Sequence, residues 1–250
     1  HLEIYPNPSS PTNSAEEPCV FASIFLAVDS TQAATVTINN SGFETDNIAT
    51  NGVEEITPAS WTYSNPSSTL DLRFMVDGAA LTGIASAHSG DQYFLAHANS
   101  VNSNISVSTI HQDTSLLWST LSAGDILTVS AWTTYRSDTP GAADTRFWIN
   151  NTDGSSISSA VMNVTTGASA GVWTERVWAY EITQSDINAA ATGNWGAVNV
   201  QVGITGNAAF AQQVAFDDVS LDLAAIPEPT TAALFGFGGL ALLRRRRKSA

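Results

Sequence analysis

Apolar and polar residues alternate along the central part of the chain. Residues 198–204 carry valine or isoleucine at every second position, and residues 127–131 and 219–223 follow the same rule with valine, leucine or alanine. A period of two is the pattern of a β-strand with one buried face. No sustained 3.6-residue period is present, and the pattern favours one short helix at residues 185–191, with Ser185 as its N-cap. The chain is therefore predicted to be all-β.

Turn-forming clusters of Gly, Asn, Asp, Ser and Pro separate the apolar runs. Further strands are predicted at residues 35–38, 72–76, 92–96, 105–110, 146–149 and 172–182. A purely β chain of this length fits a sandwich or jelly roll. We therefore expect a single jelly-roll β-sandwich domain at residues 35–223, flanked by two segments of different character.

The N-terminal segment has the layout of a secretory signal. Residues 19–28 are uncharged and apolar, and small residues follow them. Ten residues are too few to span a bilayer. Residues 1–18 contain no Lys or Arg, so the basic stretch that normally precedes the apolar run is missing. We expect a signal or targeting segment at residues 1–34; the alternative is a tail that leads into the first strand.

The C-terminal segment has three parts in a fixed order. A linker at residues 224–229 ends in the motif Pro227, Glu228 and Pro229, and residues 230–243, the first part of the segment 230–250, are uncharged and mostly apolar. A basic cluster follows it, made of Arg244, Arg245, Arg246 and Arg247 together with a lysine. As a helix the apolar part would be about 21 Å long, short of the ~30 Å hydrocarbon core. We expect a short transmembrane helix with the arginines on the cytoplasmic side.

This tail resembles the PEP-CTERM sorting signal of Gram-negative bacteria. The resemblance implies export through the Sec machinery, a temporary membrane anchor, and recognition and cleavage by the membrane enzyme exosortase. The processed proteins of that family go to the cell surface or the extracellular matrix, often in bacteria that make exopolysaccharide. A simple tail anchor is the alternative.

Charge excludes one class of partner. The chain has 23 acidic and 9 basic residues, and five of the basic ones lie in the C-terminal tail. The remaining body is therefore strongly negative and repels phosphate backbones, so we expect no nucleic-acid binding. The single cysteine, Cys19, allows no intramolecular disulfide and no cysteine-based zinc site.

Several short motifs in the body follow the order found in a known class of jelly rolls. They are residues 39–44 followed by Trp61, residues 89–93, residues 121–125 before a strand, and residues 216–221 at the end. They are similar to galactose-binding-like domains and carbohydrate-binding modules. The resemblance implies a sandwich that is closed by pairing of its first and last strands.

The same resemblance implies a structural Ca²⁺ where those two strands meet. Glu44 occupies the position of the family's N-terminal acidic ligand, and Asp217 or Asp218 that of the C-terminal ligand. Carboxylates and backbone carbonyls suit a hard cation that takes six to eight oxygens. The alternative is that these acids are solvated or cap turns.

Aromatic residues raise the possibility of sugar binding, because sugar rings stack on exposed indole faces beside polar side chains. Seven tryptophans are present, and most of them are expected in the core. Trp132 and Tyr135 flank two threonines, and Trp118 lies in a Ser/Thr-rich stretch. These three residues are the predicted sugar-stacking positions, with exopolysaccharide or another glycan as the ligand.

Catalytic motifs are weak by comparison. Residues 167–171 match G-x-S-x-G, but a strand-like run follows them, and all four histidines come earlier in the chain. A pair of carboxylates for glycoside hydrolysis depends on three-dimensional spacing. We interpret the body as a non-catalytic module that binds carbohydrate. The alternatives are a purely structural surface protein without a ligand and a glycoside hydrolase.

Overall fold

Twelve strands, one α-helix and one 3₁₀ turn make up the described part of the structure. The computed structural model describes residues 33–64, 71–78, 80–81, 83–84, 86–98, 107–136, 144–151, 156–163, 169–205 and 212–225. The strands are β1 Ala34–Val36, β2 Val53–Glu54, β3 Thr62–Ser64, β4 Asp71–Asp77, β5 Gln92–Ala98, β6 Val107–Leu117, β7 Ile126–Tyr135, β8 Asp144–Asn150, β9 Ser156–Asn163, β10 Thr174–Glu181, β11 Ala197–Thr205 and β12 Gln212–Ala224. The all-β prediction is confirmed.

The strands form two antiparallel sheets. The seven-stranded sheet has the order β10-β7-β12-β5-β4-β2, with β1 added beside β12, and the five-stranded sheet has the order β3-β6-β11-β8-β9. Consecutive strands often lie in different sheets, as they do in a jelly roll. Ala34 pairs with Leu223, so the first and last strands are joined. The closure that the resemblance implied is therefore present.

Strand β12 changes neighbours halfway along its length. Its first part pairs with β5, where Phe216 is opposite Phe94, and its last part pairs with β1. It pairs with β7 along both parts, and the register with β7 shifts between Asp217 and Ser220. This irregularity is a β-bulge, which bends the strand and re-aims the side chains beside it.

The main apolar cluster fills the space between the sheets. Its members include the alternating residues of β7 and β11, one strand from each sheet, and these are fully buried. They are Leu127, Val129, Ala131, Val198, Val200, Val202 and Ile204. The period of two in the sequence is thus explained by one buried face on each strand.

A second, smaller apolar cluster lies on the outer face of the seven-stranded sheet. Phe94 and Ala96 of β5 face the main cluster, so alternation directs Tyr93 and Leu95 outward. The residues packed around them come from the neighbouring strands, from the segment between β4 and β5, and from the residue just before β10: Val76, Ile84, Ala87, Ala215, Phe74, Ala80, Leu81 and Trp173. The outer face of this sheet is therefore covered rather than open.

The α-helix α1 spans Gln184–Gly193 and begins one residue earlier than its predicted first turn. Its N-cap is Thr183, not Ser185, because the Thr183 hydroxyl accepts from the backbone N–H of Asp186 at 3.2 Å. The Asp186 carboxylate accepts in return from the backbone N–H of Thr183, which completes a capping box. Tyr180 also donates to Asp186 at 2.8 Å and ties the helix to β10.

Among the described residues, no helix is long and apolar enough to cross a membrane. The predicted helical tail at residues 230–250 lies outside the described residues, as does the predicted signal segment up to residue 32. Ala34, the last residue assigned to that segment, already belongs to β1. The predicted Pro-Glu-Pro linker is described only at residues 224–225.

Candidate functional site

The bulge of β12 brings together two of the three predicted calcium ligands. Asp218 has a φ of 46°, in the left-handed region, so consecutive residues of the strand do not alternate here. The backbone N–H of Val219 donates to the carbonyl of Ser41 at 3.0 Å, which holds the bulge beside the loop after β1. The acidic pair therefore lies at the closure of the sandwich.

Asp217 is fully buried and fastens a neighbouring loop to β12. Its Oδ2 accepts from the backbone N–H groups of His88 and Ser89, at 2.9 and 3.0 Å, and its Oδ1 accepts from the N–H of Asp218 at 2.8 Å. Burial raises the pKa of Asp217 from 3.8 to about 7, although the hydrogen bonds from these N–H groups oppose the rise. The Asp217 carboxyl group therefore holds the loop that contains His88 and Ser89 to β12, and its pKa is well above the ordinary value for aspartate.

Asp218 completes the junction with two side-chain contacts. Its Oδ2 lies 2.7 Å from His88 Nδ1, and its Oδ1 accepts from the Ser89 hydroxyl at 2.7 Å. His88, Asp217 and Asp218 each have one atom that could ligate a metal ion, and these three atoms lie within 4.8 Å of one another. Sequence reasoning gave His88 no role, because 129 residues separate it from Asp217 and no local spacing connects them.

Glu44, the third predicted calcium ligand, has its own partners in the adjacent loop. Its Oε1 accepts from the backbone N–H groups of Asp91 and Gln92, at 3.0 and 2.8 Å. Gly90 has a φ of +58°, and a Cβ at this position would collide with the Glu44 carboxylate. Protein donors thus satisfy the predicted acidic ligands in this structure, and calcium binding at Glu44, Asp217 and Asp218 stays a prediction.

The structure corrects the expectation for Trp118. Only 1% of its side chain is exposed, and its ring packs edge-on against Trp195, with centroids 5.1 Å apart. It begins the 3₁₀ turn Trp118–Thr120 that follows β6. The polar residues around it in sequence lie on the surface of that turn, while the indole points into the core. A ring with no open face offers no platform for a sugar.

The other two predicted stacking residues are half-buried. Trp132 lies on the outer face of the seven-stranded sheet, and His88 covers one face of its indole, with ring centroids 3.8 Å apart. Tyr135 packs against the main cluster between the sheets. Trp132 therefore contacts His88, which in turn contacts Asp218. Trp118, Trp132 and Tyr135 do not share one face on which a sugar could stack.

A row of polar side chains crosses the outer face of the five-stranded sheet. Asn199 Nδ2 donates to Asp113 Oδ1 at 3.0 Å, linking the central strand β11 to β6. Asn150 Nδ2 of β8 lies 3.2 Å from Asn199 Oδ1 and 2.7 Å from Gln201 Oε1. Gln201 Nε2 donates to the Thr109 hydroxyl at 2.9 Å. We call these five residues the amide row: Asp113, Asn199, Asn150, Gln201 and Thr109.

The amide row is largely withdrawn from solvent. Asn150 is fully buried and Asn199 is 3% exposed, yet Asn150 Oδ1 has no hydrogen-bond partner. Trp148 is opposite Gln201 in the register, is 9% exposed, and belongs to neither apolar cluster. Sequence reasoning missed this site. Its signal was the pair of amides at the polar positions between the alternating valines of β11.

Comparisons with known proteins support the sorting signal and the fold. Residues 225–248 match the PEP-CTERM protein-sorting motif. The chain therefore carries a C-terminal sorting signal, which implies an exported protein and exosortase-dependent sorting. Comparison with curated protein sequences gives no match.

The solved structures that resemble this chain are distant and functionally mixed. A cyclase from Fischerella sp. TAU has a TM-score of 0.58 at 14% identity, covering 78% of this chain and 100% of that chain. The arabinose-bound α-L-arabinofuranosidase MgGH51 has a TM-score of 0.50 at 11% identity, covering 77% of this chain and 27% of that chain. The CBM22-1 xylan-binding domain of Paenibacillus barcinonensis Xyn10C has a TM-score of 0.39 at 12% identity, covering 70% of this chain and 91% of that domain. At these identities the likeness to the first two shows the fold alone, and the third, with its lower TM-score, carries no argument. The protein is an exported β-sandwich with a PEP-CTERM motif.

Proposed function

We propose that this protein is a cell-surface or extracellular-matrix protein whose β-sandwich binds carbohydrate, without catalysis, on the outer face of the five-stranded sheet. The amide row carries the proposal. Planar amides that are already linked to one another present fixed donors and acceptors, which is what recognition of several sugar hydroxyls requires. Export through the PEP-CTERM signal would deliver this face to the compartment where exopolysaccharide is found.

The unpartnered oxygen of Asn150 supports a ligand with hydroxyl groups. Both N–H directions of its amide are used toward Asn199 and Gln201, whereas Oδ1 is buried without a donor. A buried acceptor without a partner destabilises the protein that contains it. A sugar hydroxyl donating to this oxygen would remove that cost, and the neighbouring Trp148 would supply apolar contact for the ring.

The composition of the row favours binding over hydrolysis. Glycoside hydrolysis uses two carboxylates that flank the scissile bond. The amide row contains one carboxylate, Asp113, and that group accepts a hydrogen bond from Asn199. The row therefore lacks the paired acid and base within its own members.

One observation favours a purely structural surface protein instead. All seven tryptophans lie among the described residues, and three of them are buried while four are half-buried. The half-buried Trp178 and Trp195 pack against the main cluster. In a purely structural protein these rings would serve only for packing. None of them would then present an open face on which a sugar ring could stack.

A glycan array probed with the purified full chain distinguishes the two functions. We expect a hit among bacterial exopolysaccharides, and we expect affinity for that glycan to fall at least about tenfold in Gln201→Ala, as expected for loss of a hydrogen bond to a buried partner. Asn188→Ala, on the surface of α1, is the control. A blank array together with failed pull-down of exopolysaccharide would favour the structural role.

A further inference from the structure

The outer face of the seven-stranded sheet carries a second group of buried polar atoms without partners. They are the Tyr93 hydroxyl, both ring nitrogens of His97 and the Thr134 hydroxyl. Tyr93 and Thr134 are fully buried. Unsatisfied buried donors and acceptors are rare in folded proteins, and each one is costly. Four such atoms on one face of one sheet point to an occupant that would satisfy them.

Strand register brings these side chains around one small residue. Ala215 of β12 lies opposite Leu95 of β5 on one side and opposite Thr134 of β7 on the other. Tyr93 and His97 lie two residues before and after Leu95 on the same strand, so both share its outward face. Ala215 is the small residue between these longer side chains, so the register places Tyr93, His97 and Thr134 on one face around it.

A cation lies beside the group. Arg136 Nη1 donates to Gln213 Oε1 at 2.7 Å, and Gln213 is opposite His97 in the register. Burial lowers the pKa of His97, and the positive charge of Arg136 lowers it further; the same charge opposes the rise that burial causes in the pKa of Tyr93. Both side chains are thus within electrostatic range of the guanidinium. Burial keeps His97 neutral, so the arginine is the cation of this group.

Apolar residues pack around the same polar side chains. Phe74 stacks on the His97 ring with centroids 6.1 Å apart, and Trp173 packs edge-on against Tyr93 at 5.7 Å. Leu81 and Ile84 belong to the second apolar cluster that covers this face. Pockets that combine apolar walls with a few convergent polar groups are the usual form of a small-molecule site.

We propose that this face binds a small monocarboxylate with an apolar body. The tyrosine and threonine hydroxyls, an imidazole N–H and the nearby guanidinium are all hydrogen-bond donors or positive charge, which a carboxylate group complements. The apolar walls suit a hydrocarbon or aromatic body. This site is separate from the amide row, which lies on the other sheet.

Entry to the site requires movement of its cover. The four atoms have essentially no contact with solvent, so a ligand reaches them only when the covering residues shift. Among the described residues, Trp173 donates to the Ser86 carbonyl at 3.0 Å and holds this cover from one side. Binding is therefore expected to be slower than a diffusion-limited encounter.

Titration of the full chain with benzoate, followed by calorimetry, tests the proposal. We expect saturable binding in the wild type, and affinity at least about tenfold weaker in both Tyr93→Phe and Thr134→Val, as loss of a hydrogen bond to a charged group predicts. Thr128→Val, on the same strand and half-buried, is the matched control and should bind as the wild type does. Benzamide, which has the same shape without the charge, should bind far more weakly.

Three results would overturn the proposal. The first is absence of saturable benzoate binding to the wild type; a higher melting temperature in Tyr93→Phe and Thr134→Val would then show that the two hydroxyls are merely buried. The second is equal benzoate affinity in all variants. The third is benzamide binding as tightly as benzoate, because the site would then not recognise a carboxylate.

Discussion

The imidazole of His88 lies flat on the indole of Trp132, with ring centroids 3.8 Å apart and ring planes 12° apart. Asp218 holds the edge of the same imidazole through Nδ1 at 2.7 Å. Trp132 is opposite Asp217 in the register of β7 and β12, so the stack sits directly beside the bulge. A single histidine thus connects the loop before β5 to two strands of the seven-stranded sheet.

We expect His88→Ala to destabilise the fold by about 1–2 kcal/mol. A ring stack of this kind contributes roughly 0.5–1.5 kcal/mol beyond area burial, and a side-chain hydrogen bond such as that between His88 and Asp218 contributes about 1 kcal/mol. Urea unfolding of the full chain measures the difference. His88→Phe keeps the stack and removes the contact with Asp218, so it should retain most of the stability. Equal losses in both variants would show that stacking contributes nothing.

The raised pKa of Asp217 predicts a pH dependence of stability. Its pKa is about 7 in the folded protein against 3.8 as the ordinary value, because burial disfavours the charged form. The unfolded chain therefore loses its proton first as the pH rises. The contribution of this group to stability is fully present below about pH 4 and is lost as the pH rises through about 7.

Asp217→Asn should flatten the stability curve between these two pH values, as followed by thermal unfolding at a series of pH values. Asp222→Asn, on the same strand and half-buried, is the control that should leave the slope unchanged. A slope in Asp217→Asn as steep as that of the wild type would assign the dependence to another group.

Calcium should raise the melting temperature if the acids at the sandwich closure bind it. Ligand binding to the folded state alone stabilises it in proportion to the logarithm of ligand concentration. We expect a higher melting temperature in calcium than in chelator, and a smaller difference in Glu44→Gln. The exposed acid Glu175 supplies the control, Glu175→Gln, which should respond to calcium as the wild type does. Identical melting curves in calcium and chelator would leave the acids as turn and loop anchors.

The alternation of apolar and polar residues in the sequence predicted the strands that have one apolar and one polar face. Residues 198–204 became β11 and residues 172–182 became β10 with little change, because one side of each strand faces the main cluster. Strand β6 runs on to Leu117, beyond its predicted end at residue 110. The residues that follow Ile110 are mostly polar, so the sequence pattern did not predict that the strand continues. Several of their side chains form hydrogen bonds instead of apolar contacts.

The candidate sites depended on contacts that a sequence pattern does not contain. Asp217 and Asp218 were found because they lie in the motif at residues 216–221, whereas His88 reaches them across more than a hundred residues. Trp118 was misplaced because polar neighbours in sequence do not decide which way a ring points from a 3₁₀ turn. The orphaned hydroxyls of Tyr93 and Thr134 come from different strands and become neighbours only through β12.

The sorting motif predicts a specific processing event. The three residues of the predicted sorting motif, Pro227, Glu228 and Pro229, lie within the residues that match PEP-CTERM. Changing Pro227, Glu228 and Pro229 together to alanine should therefore block processing in a bacterium that carries exosortase. Intact-mass analysis should show a wild-type protein without its arginine cluster and a variant that keeps it in the membrane fraction. Ser249→Ala, beyond the matched residues, should be processed normally. Wild-type surface protein that still ends in the arginine cluster would contradict exosortase processing, whatever the β-sandwich binds.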